Sequence, residues 1–414
     1  MQSLKVRFRI YDLLFYLLLV VSFYYTRNML CRVMMVAFFG YTVAQMIIRK
    51  DKIPFPFYCI GFALFILYGA VSILRGNAIY PSVARTMVIS LTLNFLMIFS
   101  IVQYIYLTGD VSRVLRVTEL GIFSTAFVVV MLSIRTITQG RLGGGTEINS
   151  NMLAILCVYG FGLSLYLRKI GKITQRSNWG RVAFYILVIL LTGSRKGLLM
   201  ILLTFMVVRF TQGRRQLLKN LLLVVGAIVM SYILIMNVPV LYNIIGVRVE
   251  NLLLALSGES AAEASLNDRQ KLVDMGWEYI KENPWIGYGF DCFKMISGIG
   301  ANGYVKPGVA GFYSHNNYIE LLFGGGIIGF VLYYLPVLHL LGKLLTGLRK
   351  HPCIPYLLAI MVSKLSMEYA YVSYYERVDT YIVAIVLGCA LVARQDIKQK
   401  KKPQPRLIIM EDYA

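Results

Sequence analysis

Long apolar segments with few or no charges recur along almost the whole chain, and this recurrence leaves few folds open to it. They fall near residues 10–26, 29–48, 55–74, 86–107, 117–137, 151–167, 182–193, 197–208, 220–238, 318–341, 354–372 and 380–393. A helix that crosses a bilayer needs ~20 mostly apolar residues, whereas a soluble core of this length does not require so many uncharged stretches. Hydrophobic residues make up 58% of the 414, and charged ones only 15%. The expectation is an all-α polytopic membrane protein of about 12 transmembrane helices. The first apolar run, Ile10–Tyr25, follows Lys5, Arg7 and Arg9 with no small-residue cleavage site after it, so it reads as a retained first helix.

In a soluble chain, a net charge of +22 would suggest nucleic acid as a partner. Its placement argues for a membrane instead and leaves no call for nucleic acid. With the N-terminus inside, the inside segments are 1–9, 49–52, 108–116, 168–181, 209–219, 342–351 and 394–414. They hold 26 of the 42 Lys and Arg against five acids, and so carry +21 of the total. Such a bias sets orientation and requires an even number of spans, with both termini cytoplasmic. The basic stretch 398–406 then lies on the cytosolic flank, where it can meet anionic lipid. Six scattered Cys (31, 59, 157, 292, 353 and 389) form no CxxC and indicate neither a disulfide framework nor a metal cluster. The expected organisation is 1–238 for spans one to nine, 239–314 for a large helical extracytoplasmic loop, 315–393 for spans ten to twelve, and 394–414 for a basic tail.

Three stretches depart from a plain bundle. Pro239–Ser314, 76 residues with eight acids and six bases, is too long for a connector and reads as a folded outer unit. Within it, "SLNDRQKLVDMGWEYIKENPWIGYG" predicts a helix capped by Asn267 and ended by a turn at Pro284, Gly287 and Gly289. Arg269, Val273, Gly276, Trp277 and Ile280 share one face, so Arg269 points with apolar residues toward the protein. An Arg whose stem packs at an edge while its head snorkels fits the same spacing.

The second departure is 181–210, where two apolar arms of about 12 residues flank T-G-S-R-K-G. Each arm would rise only ~18 Å, short of the ~30 Å hydrocarbon core. Arg195 and Lys196 would therefore sit below the surface and must face a wet cavity or an anion rather than lipid. Gly193 and Gly197 would permit the reversal, and the second arm's first N–H groups could meet an anion. The alternative is a short surface hairpin with snorkelling cations, and the arm length argues against it.

The third departure is "FYSHNNYIELLFGGGIIGF", 312–330. His315 begins the tenth span and would share a helical face with Tyr318, Ile319 and Leu322. Gly324, Gly325, Gly326 and Gly329 lower helix propensity, which suggests close helix packing. Taken alone, the stretch is more plainly an interfacial His beside tight helix contacts. Lys364 and Glu368, spaced i, i+4 in the eleventh span, should neutralise each other. The Gly-rich "GRLGGGTEINSNM" (140–152) precedes a helix capped by Asn149 or Ser150 and carries little specificity. There is no phosphate-binding loop, nicotinamide fingerprint or HExxH, and no acidic pair suited to metal-dependent sugar transfer.

Taken together, these stretches resemble the O-antigen ligase and O-antigen polymerase (Wzy-type) superfamily. His315–Asn316, nine residues, then Gly326-Ile-Ile-Gly329 follows that family's H-[NSQ]-x9-G-x-x-G pattern. "LLTGSRKGLL" (190–199) is similar to its Ser–Arg hairpin, and Arg269 followed by "ENPWIGYGF" is similar to its Arg and Pro–Gly turn. The likeness covers about 140–340 by motif and the N-terminal third by topology alone. It implies a C-type membrane glycosyltransferase that acts on glycans carried by undecaprenyl pyrophosphate at the outer face of the bacterial cytoplasmic membrane.

In that reading His315 is the acceptor base, and Arg195 and Arg269 hold the pyrophosphate leaving group. Ser194, Lys196, Asn316 and Tyr318 are expected at the substrate, while Pro284, Gly287, Gly326 and Gly329 shape the backbone. No cofactor is expected, and Arg in place of an acidic pair predicts transfer without a metal. A flippase and a chain-length regulator would be natural partners beside the lipid bilayer. Polymerase and ligase share these motifs. The absence of a dedicated acceptor module in the outer loop leans toward polymerase. A glycan or lipid transporter is the rival from another class, and it should line the midplane with charges.

Overall fold

The computed structural model describes residues 10–25, 28–50, 52–133, 141–144, 146–211, 217–247, 250, 264–297 and 311–400. Lys5, Arg7, Arg9, Arg248 and positions 401–414 of the basic tail lie outside them, as do 251–263 and 298–310 of the long loop. The regular elements described are all helical. They are α1 (Ile10–Tyr24), α2 (Met29–Arg49), α3 (Phe57–Leu74), α4 (Pro81–Thr108), α5 (Val111–Ser133), α6 (Ser150–Lys169), α7 (Gln175–Leu191), α8 (Arg195–Thr211), α9 (Leu217–Asn237), α10 (Ala264–Glu282), α11 (Asn317–Gly347), α12 (Ile354–Met367) and α13 (Arg377–Lys400). Single helical turns occupy Pro239–Leu241 and Phe293–Ile296, and Tyr242–Gly246 is a π-helical turn. Seven of these helices, α2 to α6 with α11 and α13, are long and apolar enough for a full crossing; α1 and α12 are apolar but shorter.

Helix α6 is the axis of the bundle. Its most apolar window is 89% buried, and it packs on α5, α7, α8 and α12. A helix that is apolar on every side must be enclosed by others, and its sequence "SNMLAILCVYGFGLSLYLRK" has no polar face. Around it, α13 lies along α4, α8 along α12, and α11 along α3. The α3–α11 approach is close because Gly61 faces the ring of Pro336, which a Cβ would strike.

Most buried ionisable groups among the described residues are matched, although Glu320, 2% exposed, keeps one carboxylate oxygen without a partner. Asp12 pairs with Arg113 and accepts from Tyr104 Oη at 2.8 Å. Glu119 pairs with Arg181 and accepts from Tyr185 Oη at 2.9 Å. Lys364 and Glu368 pair at i, i+4 as their spacing predicts, with side chains 2% and 0% exposed. Asp379 accepts from Tyr159 at 2.9 Å and Tyr371 at 2.5 Å. Such matching is what low dielectric demands of ionisable groups.

Several expectations need correction. The hairpin arms are 17 residues each rather than about 12. A Thr174 cap and the polar turn Gln175–Asn178 extend α7 backward, beyond its apolar part. At ~25 Å each arm still falls short of a full crossing. Gly193, with φ 59°, makes the reversal, whereas Gly197 lies inside α8 against Ala154, where a Cβ would come within 2.8 Å. Helix α10 begins at Ala264, so Asn267 is inside it and not its cap. Its inward face is Leu272, Gly276 and Ile280, while Trp277 turns outward at 45% exposure. Finally, 368–376 is a stretch of turns between α12 and α13 and not part of either span.

Candidate active site

Asn316 is the N-cap of α11; its Oδ1 accepts from Tyr318 N at 2.9 Å and Ile319 N at 3.3 Å. His315 therefore stands outside the helix, with φ 56°, and does not share a face with Tyr318, Ile319 and Leu322 as its spacing had suggested. The left-handed backbone is held by Ser314, whose Oγ donates to Asn316 O at 2.8 Å and whose N–H donates to Glu320 Oε2 at 2.9 Å. The imidazole packs on Tyr313 with ring centroids 4.2 Å apart and makes no hydrogen bond among the described residues. Neither ring nitrogen is thus engaged by any of the described residues.

The four glycines after it do not sit in one continuous helix. Gly326 has φ 59° and ψ −166°, which breaks α11 in two. The turn that follows α10 fills the break. Tyr288 N donates to Phe323 O at 2.8 Å and Gly289 N to Gly324 O at 2.9 Å, while Ile327 N donates to Pro284 O at 2.7 Å. The free carbonyls of one half-helix and the free N–H groups of the other thus find partners in a single loop. Gly287, φ 75°, lies so close that a Cβ would meet Gly326 N and Phe323 O at 2.6 Å. Gly324, Gly325 and Gly329 do serve close packing, against Phe290 and Tyr68.

This docking brings α10 beside the start of α11. There a cavity of about 310 Å³ is lined by Lys196 from α8, Arg269 from α10, Tyr313 and His315, Tyr371 and Glu376 of the 368–376 turns, and Arg141 with the loop that leads into α6. Arg269 has no hydrogen bond or ion pair among the described residues, so its guanidinium fork is available to a ligand. Lys196 donates to Ala370 O and lies 6.0 Å from the Tyr371 ring centroid. Arg141 Nε donates to Thr192 O at 2.7 Å and its Nη2 to Asn151 Oδ1 at 3.0 Å, stitching the Gly-rich loop to the hairpin tip. Burial first, then the charges of Arg269 and Lys196, push the His315 imidazole down to about 4, so the ring is neutral near pH 7.

Of the residues singled out from sequence, His315, Lys196 and Arg269 meet in this cavity. Arg195 is its neighbour in the first turn of α8 but not part of the lining, and Ser194 is buried, its Oγ accepting from Gly197 N at 3.3 Å. Asn316 serves the cap, and Tyr318 donates its hydroxyl to Leu365 O at 2.9 Å. Arg141, Asn151, Tyr371 and Glu376 were missed. Arg141 lies in the Gly-rich loop and Asn151 in the first turn of α6, where a single Arg or Asn carries no motif; the others lie in or just after a stretch read as span. Among the described residues no three His, Cys, Asp or Glu gather in a way that could hold a metal ion.

The fold and cavity define a multi-spanning helical membrane protein with a cationic, His-containing pocket at one end of the bundle. Residues 181–334 match the family model described as O-antigen ligase. The match runs from α7 through the hairpin tip, Arg269, the 284–290 turn and His315 into α11, and supports membership of the O-antigen ligase and polymerase superfamily. It also supports a ligase- or polymerase-type role in polysaccharide assembly and a glycosyltransferase-like membrane enzyme. No curated protein matches the chain.

Proposed function

We propose that this protein polymerises oligosaccharide repeat units carried on undecaprenyl pyrophosphate, at the outer face of the cytoplasmic membrane, for a surface polysaccharide. The observation that carries the reading is the convergence of His315, Arg269 and Lys196, from three separate elements, on one cavity. A polyprenyl pyrophosphate is already a good leaving group, so the chemistry needs charge stabilisation more than a strong acid. Arg269 offers two parallel N–H donors to phosphate oxygens, and Lys196 adds a point charge, with Arg195 beside it in α8. Neutral His315 takes the proton from the acceptor hydroxyl as its oxygen attacks the anomeric carbon. The C–O bond to pyrophosphate breaks on the opposite side, which inverts the anomeric configuration.

A second reading is transfer of the lipid-linked glycan to a different acceptor: lipid A core, a protein or cell wall. The description of the matched family favours it. A transporter is disfavoured because the buried cations Arg113, Arg181 and Lys364 are each paired with a carboxylate among the described residues. The deciding experiment is the glycan profile of a deletion strain. Accumulated single lipid-linked repeats support the polymerase. Accumulated full-length chains without their acceptor overturn it in favour of the ligase, and an unchanged profile removes both.

A further inference from the structure

Two segments form most of one side of the cavity: 313–317, which carries His315, and 368–376, which holds Lys196 through Ala370 O and adds Tyr371 and Glu376 to the lining. They are joined by a group of fully buried polar residues beneath the cavity. Asn317 is its centre. Its N–H donates to Glu368 O at 2.7 Å, and its Oδ1 accepts from Ser373 N at 2.9 Å and Tyr374 N at 3.0 Å. Its Nδ2 donates to Tyr334 Oη at 2.9 Å, and that hydroxyl donates to Glu368 Oε2 at 2.8 Å. Ser373 Oγ donates to Glu368 Oε1 at 2.7 Å, and Lys364 completes the set by pairing with the same carboxylate.

Both polar atoms of the Asn317 side chain are thereby used, by partners from α11 and the 368–376 turns. A cluster meant only to neutralise Lys364 and Glu368 would not need an Asn two residues after His315, nor the N–H groups of residues 373 and 374. We infer that Asn317, Tyr334 and Glu368 are positioning residues that fix His315 relative to Lys196 by locking the 313–317 segment onto the 368–376 turns. The inference rests on the functional reading above for its catalytic meaning, but the positioning itself can be tested without turnover.

Groups facing the imidazole come from every neighbouring element: Arg269 of α10, Lys196 of α8, Arg141 of the loop before α6, Tyr371 and Glu376 of the turns, and Tyr313 of its own segment. Burial first, and then the charges of Arg269 and Lys196, hold the imidazole in its neutral form. If the lock is lost and the ring moves away from them, its titration should rise toward the reference ~6.5.

The test uses the full chain in lipid nanodiscs, with Tyr334→Phe, Asn317→Ala and Glu368→Gln beside wild type. Carbon-13 histidine NMR follows the three His, with the His315 signal assigned by its loss in His315→Gln. The expected result is an upward shift of the His315 midpoint in Tyr334→Phe, with the other two His unmoved. Turnover of lipid-linked glycan should fall by up to ~100-fold in kcat at nearly constant KM, as for a base misplaced by about 1 Å. Tyr334→Phe keeps the ring stacked on Tyr318 and packed on Phe330, so it stays informative where Asn317→Ala does not fold. An unmoved His315 midpoint in folded Tyr334→Phe overturns the inference, even with a lower melting temperature. A wild type that shifts as expected in its variants but transfers no glycan keeps the positioning role and removes the proposed function instead.

Discussion

The backbone N–H of Ile327 donates to the carbonyl of Pro284 over 2.7 Å, and through this bond the end of α10 is built into the break of α11. Arg269 rides on the first of these helices and His315 stands at the head of the second. Tyr68 reinforces the joint, its hydroxyl reaching Ile286 O at 2.8 Å and Gly325 O at 2.9 Å. The Pro–Gly turn and the glycines after His315 are thus two halves of one joint, whose effect is to set cation and base side by side.

Gly326→Ala should therefore damage the protein far more than Gly329→Ala. At φ 59° and ψ −166°, Gly326 occupies a region essentially closed to residues with a Cβ, and the added carbon would collide with the Trp285 carbonyl. Strain of this kind costs ~1–3 kcal/mol before any clash is counted. At Gly329 the added carbon meets the Tyr68 ring edge at 3.2 Å, a contact that a small ring shift relieves. Thermal unfolding in detergent and turnover of lipid-linked donor check the pair. Equal behaviour of the two variants would remove the joint from the account.

The pH dependence should have an unusual acid limb. His315 is pushed down to about 4, so the free enzyme keeps its base neutral well below the ordinary imidazole range. The acid limb of kcat/KM, which reports the free enzyme, is expected near that value. Bound pyrophosphate offsets Arg269 and Lys196, so the limb of kcat should lie higher. The stability sign is the reverse of a salt-bridged His. Because the folded value is depressed, the unfolded chain takes up the proton first, and stability falls as pH drops from ~6.5 toward 4. Two coincident limbs at the reference value would contradict this arrangement.

Much of the fold was legible because membrane helices announce themselves by length and by buried charge. The matched pair Lys364–Glu368 and the turn at Pro284 and Gly287 followed from spacing, and of the two caps the spacing allowed, Asn149 and Ser150, it is Asn149 that caps α6. What the sequence concealed was backbone conformation. Helical periodicity placed His315 on a face with Tyr318, but an Asn cap fixes where a helix starts, and "HNN" offers two such residues. Nothing in "FGGGIIGF" distinguishes glycines that pack from the one that breaks the helix; that depends on a turn about forty residues upstream. Tyr371 and Glu376 were hidden for a different reason. The apolar run continues past Met367, where the helix ends, because the turns that follow are themselves buried.

No metal should be needed, since the charge at the cavity is supplied by Arg269 and Lys196 and the described lining holds a single acid, Glu376. Transfer in detergent is expected to survive excess EDTA. Activity lost on chelation and restored by magnesium or manganese, but not by calcium, would count against the Arg-based scheme.

Arg269→Lys should separate the roles of the two arginines carried over from the family resemblance. Arg269 lines the cavity and has no hydrogen-bond or ion-pair partner among the described residues, so its planar fork can be given wholly to a phosphate. A Lys there keeps the charge but loses the paired donors. One charge-assisted contact of ~1.5–3 kcal/mol corresponds to about 10- to 100-fold in rate, when it acts mainly in the transition state. Arg195 precedes Lys196 in the first turn of α8 and is outside the lining, so Arg195→Lys should lose less. Because both lie near one ligand, the double variant should lose less than the product of the single losses. Arg269→Gln adds an independent readout. Removing that charge relieves His315, so the acid limb of kcat/KM should move up toward the ordinary imidazole value. Turnover and pH profiles of the three single variants and the double variant, at matched expression, decide the matter. A dead Arg195→Lys beside a near-wild-type Arg269→Lys would assign the pyrophosphate to the hairpin alone.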